Sequence, residues 1–102
     1  MPSPTTEITP ARILEITVKN HPGVMSHVCG LFARRAYNVD GILCLPDPDR
    51  ATSRIWLRLQ EDERLDQIMR QIEKLVDVLS VREHEAGHDV FVRLEDFFRI
   101  RP

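Results

Sequence analysis

"ILEITVKNHPGVMSHVCGLFARRA", residues 13–36, changes its hydrophobic period in the middle. Leu14, Ile16 and Val18 alternate with Glu15 and Thr17, the signature of a strand with one better-buried face. After Pro22-Gly23 the apolar residues Val24, Val28, Leu31, Phe32 and Ala36 recur at helical spacing, while Ser26, Arg34 and Arg35 fall off the stripe. Arg34 and Arg35 in the last turn suit the negative end of a helix dipole. A strand therefore passes into a helix through the four residues Asn20-His21-Pro22-Gly23.

The pattern continues outward. Tyr37-Asn38 turns the chain into Val39–Pro46, whose GILCL reads as a strand buried on both faces. PDPDRAT, residues 46–52, is a turn rich in proline and charge. SRIWLRLQ, 53–60, alternates cleanly, with Ile55, Leu57 and Leu59 opposite Arg54, Trp56 and Arg58. Asp62 is placed to cap a second helix, along which Leu65, Ile68, Met69, Ile72 and Leu75 recur at helical spacing. Residues 77–83 form a fourth strand, and EAGHD ends it. Val90, Phe91, Leu94, Phe97 and Phe98 then follow Asp89, itself placed as a cap, as a short amphipathic helix, with an edge strand as the alternative.

The order β-α-β-β-α-β with two right-handed crossovers implies a ferredoxin-like α+β sandwich. Its four-stranded antiparallel sheet carries both helices on one face. The other face is left for the phenylalanine-bearing tail or for a partner. We divide the chain into a disordered lead over 1–11, a domain over 12–84 and a tail over 85–102.

Composition narrows the function. The chain has 102 residues, 42% hydrophobic and 29% charged, as expected of one globular domain. Fourteen Lys and Arg against 16 Asp and Glu leave a net charge of −2, without the basic excess that nucleic-acid binding needs. No apolar run has the length of a membrane helix, and the polar, proline-rich start lacks a signal pattern, so a cytoplasmic location is expected. Cys29 and Cys44 match no zinc or redox spacing and read as reduced thiols. His84 and His88 are four residues apart, but Gly87 between them argues against a rigid metal pair, and no third ligand is spaced to join them. No nucleophile elbow or phosphate loop is present.

The junction itself carries the chemistry. His21 precedes a proline and is held extended, Pro22 donates no hydrogen bond, and Gly23 lets another group approach the backbone. The helix then opens with the unpaired N–H groups near Val24, Met25 and Ser26, a natural carboxylate acceptor. Asn20 adds an amide that donates and accepts. With no Lys or Arg in the loop, a small zwitterion suits it better than a phosphate. An ordinary strand–helix turn is the plainer alternative.

The block VKNHPGVMSHVCGLFARRAYNVDGILCLP, residues 18–46, resembles the small, regulatory subunits of acetolactate synthase (acetohydroxyacid synthase), nearest to the short form of the valine-sensitive bacterial isozyme I. The resemblance runs from about Ile13 to Val81 and implies an ACT domain, an amino-acid-sensing version of the fold derived above. It implies a non-catalytic chain that forms a homodimer and joins a large catalytic subunit. That partner would carry thiamine diphosphate, magnesium and FAD, with no cofactor on this chain. The small subunit would activate it and confer feedback inhibition by valine in branched-chain amino-acid synthesis. The resemblance places the effector between two chains, with Asn20, His21, Pro22, Gly23, Val24 and Met25 from one and Asn38 and Val39 from the other. A stand-alone amino-acid sensor acting on another protein is the alternative. An acylphosphatase-like enzyme of the same topology would need an arginine in the first loop, which is absent.

Overall fold

The computed structural model describes residues 11–20, 23–85 and 88–99. Strand β1 spans Ala11–Lys19, helix α1 Val24–Arg34, strand β2 Val39–Pro46 and strand β3 Thr52–Gln60. Helix α2 spans Leu65–Glu73, strand β4 Val78–His84 and helix α3 Asp89–Phe98. The four strands form one antiparallel sheet in the order β2-β3-β1-β4. The ferredoxin-like sandwich is thus the observed fold, and the tail forms the expected helix rather than an edge strand. The expected disordered lead lies, except for Ala11, outside the described residues.

The alternation in β1 and β3 decides where the core lies. Leu14, Ile16 and Val18 pair across the ladder with Leu57, Ile55 and Ser53, so the apolar rows share one face. Val24, Val28, Leu31 and Phe32 of α1 and Leu65, Ile68 and Ile72 of α2 close over them. Each fully buried aliphatic side chain contributes roughly 1.5–3 kcal/mol, so these central strands anchor the domain. Met69 and Leu75 are only half-buried at the margin of this cluster.

Three local expectations are corrected. GILCL is not buried on both faces: β2 is an edge strand, and Ile42 and Leu45 are 44% and 59% exposed. An apolar strand at an edge has no neighbour to cover its outer side, and nothing in its composition tells this from a central position. Ala36 does not extend the α1 stripe. The helix ends at Arg34, and Ala36 is exposed with φ +52°, where the chain reverses so that Tyr37 can enter the core. Asp89 does not cap α3. His88 does, its Nδ1 accepting the Val90 N–H at 3.2 Å.

Asp62 acts one step earlier than a cap. Its carboxylate accepts the backbone N–H of Arg64 at 2.8 Å, which shapes the turn before α2, while Arg64 occupies the N-cap position itself.

The opposite sheet face is half covered. Helix α3 lies on it, with Phe91 buried against Gly41 of β2 and Arg58 of β3 paired to Glu95 at 2.6 Å. Trp56 stacks on His84 at 5.3 Å between ring centroids and on His88 at 4.9 Å, which fixes the start of α3. Phe97 and Phe98 are 70% and 85% exposed, so only Phe91 of the three tail phenylalanines packs into the domain.

Candidate functional site

The loop after β1 is built around Gly23. Its φ of +91° lies in the left-handed region, where a side chain is strained and glycine is at ease. A Cβ there would meet nothing within 4 Å, so the glycine faces open space beside the start of α1. The first helical hydrogen bond runs from the His27 N–H to the Gly23 carbonyl at 3.1 Å. Among the described residues no side chain caps the helix, and no acidic residue occupies its first turn. The N–H groups at Val24, Met25 and Ser26 precede the first residue that can find an intrahelical acceptor, and the helix dipole favours negative charge there. Val24 is buried and belongs to the core, whereas Met25 is half-buried and borders it.

Asn20 fastens this loop to the β2–β3 hairpin. Its side-chain amide donates to the Arg50 carbonyl at 3.0 Å, and its backbone N–H to the Ala51 carbonyl at 3.1 Å. Arg50 has φ +62° at the hairpin tip. Asp49 and Asp47 hold the hairpin through the Ala51 N–H at 2.9 Å and the Thr52 hydroxyl at 2.6 Å. Among the described residues, no donor is bonded to the Asn20 side-chain oxygen. His21 and Pro22 lie outside the described residues.

Asn38 and Val39 occupy a different corner. Val39 pairs with Leu59, which pairs with Arg12, whereas the Asn20 loop follows Lys19, which pairs with Thr52. The two groups are therefore at opposite ends of the sheet, seven rungs apart, or roughly 20 Å at about 3.3 Å per residue. One chain brings Asn20, Gly23, Val24 and Met25 together and keeps Asn38 and Val39 away from them.

Sequence reasoning missed what holds the Asn38 corner. The buried Tyr37 hydroxyl donates to the Gln60 carbonyl, and its ring meets Phe32 edge-on at 5.8 Å. Arg64 lies over that ring at 5.1 Å, donates to the Arg35 carbonyl at 2.6 Å and pairs with Asp62 at 2.8 Å. Burial first, and the Asp62 charge next, push the Tyr37 phenol above its usual value. Hydrogen bonds from the Arg64 side chain and backbone hold the Asp62 carboxyl at about 2. A lone Tyr before a turn residue carries no sequence signal for this clamp.

The histidine pair is also placed. His84 and His88 rings lie 4.5 Å apart, but both stack on Trp56, and among the described residues no three His, Cys, Asp or Glu side chains are grouped to hold a metal ion. Cys29 and Cys44 are free thiols, each half-buried. Burial first, then proximity to Cys29, raises the Cys44 thiol above its usual value. Among the described residues no helix is long and apolar enough to cross a membrane.

A four-stranded antiparallel sheet in βαββαβ order is an ACT-like fold. Solved structures agree: the ACT domain from the GTP pyrophosphokinase of Chlorobium tepidum superposes with a TM-score of 0.62 at 14% identity, over 76% of this chain and 100% of that one. A family model described as the AHAS small subunit-like ACT domain matches residues 14–80. The acetolactate synthase isozyme 1 small subunit of Escherichia coli is 55% identical over 87 residues, 85% of this chain and 91% of that protein. The isozyme 3 small subunit of the same organism is 41% identical over 80 residues, covering 78% of this chain but 49% of that protein. The acetolactate synthase small subunit of Thermotoga maritima superposes with a TM-score of 0.64 at 26% identity, over 87% of this chain and 68% of that one. The chain belongs to the family of acetolactate synthase small subunits bearing an ACT domain.

Proposed function

We propose that this chain is the regulatory subunit of an acetolactate synthase, binding valine between two ACT domains. In this reading it activates a large catalytic subunit and transmits feedback inhibition in branched-chain amino-acid synthesis. Thiamine diphosphate, magnesium and FAD belong to that large subunit. This chain supplies no catalytic group.

The observation that carries the reading is the separation of Asn20-to-Met25 from Asn38-Val39 on a sheet whose β2 edge is open. Antiparallel pairing of β2 with β2 of a second copy sets the Val39 end of one strand against the Pro46 end of the other. The Pro46 end leads into the hairpin to which Asn20 is tied. A two-fold axis therefore generates two sites, each made of one loop and one Asn38 corner. The apolar, half-exposed side chains of β2 gain cover in the same step.

The chemistry of each half suits an amino acid. The ligand carboxylate takes the N–H groups at the start of α1, with Gly23 allowing close approach. The ammonium takes the Asn20 side-chain oxygen and backbone carbonyls around Asn38. The isopropyl group meets Val39 and Met25. Because the site exists only when two chains meet, valine favours one assembly geometry over others. Such linkage has typical couplings of about 1–3 kcal/mol.

Calorimetric titration of the chain with valine, repeated with Gly23→Asp, tests the site. The expected result is saturable binding that the new carboxylate abolishes, since it occupies the position of the ligand's own. Normal valine binding by the variant would refute the assignment. Co-purification with a thiamine-dependent large subunit, and its activation, tests the role. Valine binding without either outcome would favour a stand-alone sensor.

A further inference from the structure

On the sheet face that α3 half covers, the strands lay their side chains out in rows. Arg54, Thr17 and Ser80 form one row across β3, β1 and β4, and Trp56, Glu15 and Arg82 form the next. The third row, Arg58, Ile13 and His84, lies beside α3. The first two rows leave a cavity of about 220 Å³ lined by Glu15, Thr17, Arg54, Ser80 and Arg82.

Glu15 is the unusual member, a carboxylate only 5% exposed on a sheet face. One oxygen accepts from His84 Nε2 at 2.9 Å and the other from Arg54. Burial pushes this carboxyl up, but the hydrogen bonds from His84 and then Arg54 outweigh it, so the group is held below its usual value and is ionised. Arg82 lies directly across the ladder from Glu15, yet makes no ion pair among the described residues. Arg54 is shared between Glu15 and Asp47, the latter at 3.3 Å. Glu15 and Asp47 thus balance Arg54 and Arg82, and one guanidinium is left unspent.

We propose that this cavity is a second binding site, for the zwitterionic head of a small amino acid with a small or polar side chain. Arg82 takes the carboxylate through its paired N–H groups, with the Thr17 and Ser80 hydroxyls as further donors. The ammonium goes to Glu15, each of whose oxygens retains a lone pair after its present bond. Taken with Asp47, the second partner of Arg54, the lining carries two charges of each sign, which favours a ligand that adds one charge of each sign over a plain anion or cation. The polar lining distinguishes it from the apolar loop site, and it needs only one chain. It does not depend on the loop-site reading.

Titration of the ¹⁵N-labelled full chain with glycine and with L-serine tests it, following the Thr17, Ser80 and Arg82 amides and the Trp56 indole N–H. The expected result is saturable shifts at these groups, with acetate and methylammonium at least about tenfold weaker, and a loss of about tenfold or more in Arg82→Gln. Thr17→Val, which keeps all charges, weakens binding less, and Gly23→Asp leaves it unchanged. Acetate binding as well as glycine, an unchanged affinity in Arg82→Gln, or no saturable shift at these groups would each overturn the site. Shifts abolished by Gly23→Asp but kept in Arg82→Gln would assign them to the loop instead.

Discussion

The side chain of Asn20 donates to the backbone carbonyl of Arg50 at 3.0 Å, so the loop that opens α1 is tied to the tip of the β2–β3 hairpin. With the bond from the Asn20 backbone N–H to the Ala51 carbonyl at 3.1 Å, this contact joins two segments about 30 residues apart. It holds the Asn20 amide at the hairpin tip, beside the loop proposed to bind the ligand.

Asn20→Ala is therefore expected to lower stability only slightly, by about 0.5–1 kcal/mol, because the bond is exposed. Its effect on valine affinity should be larger, since it removes an acceptor and one of the two bonds that tie the loop to the hairpin. Urea denaturation and calorimetry on the same sample separate the two. Equal valine affinity in the variant would remove Asn20 from the site.

Gly23→Ala tests conformation without charge. A Cβ there meets nothing within 4 Å, so its cost is that of a left-handed φ alone, about 1 kcal/mol. A midpoint shift of that size in urea, with an unchanged slope, is the expected reading.

Gly41 and Phe91 should be coupled. A Cβ on Gly41 would lie 2.8 Å from Cε1 of Phe91, so Gly41→Ala must displace the ring that docks α3. We expect a loss of about 1–3 kcal/mol and a change in Trp56 fluorescence as the histidine stacks shift. Adding Phe91→Leu should make the pair less costly than the sum of the singles. Simple additivity would mean that α3 does not pack there in solution.

Acid should weaken the fold through Glu15 and Asp62. Both carboxyls sit below their unfolded values, Asp62 at about 2, so each contributes stability above pH of about 4 that is lost as pH falls through its folded value. Stability should therefore decline below pH of about 5, and Asp62→Asn should flatten that decline. A variant with the same slope as the parent would show that the Asp62–Arg64 pair does not persist in solution.

The β2 edge gives the last test. Leu45→Lys places a charge on an exposed edge residue outside the core. It should leave the monomer folded and shift the chain toward monomer in analytical ultracentrifugation, with valine binding lost alongside. A dimer that survives the change would place the interface elsewhere.

Much of this molecule was legible in its residues. The alternation of Leu14, Ile16 and Val18 against Ile55, Leu57 and Leu59, and the two helical stripes, determined the element order, because burial of one face imposes a period of 2 or 3.6 on any chain. The Pro22-Gly23 break marked the start of α1 for the same local reason. Only the tertiary structure decided that GILCL is an edge, that Tyr37 is pinned to Gln60, that Glu15 is buried between His84 and Arg54, and that Asn38 stands a sheet's length from Asn20. These facts depend on which strands become neighbours, and pairing across 20 to 70 residues of chain leaves no period behind in the sequence.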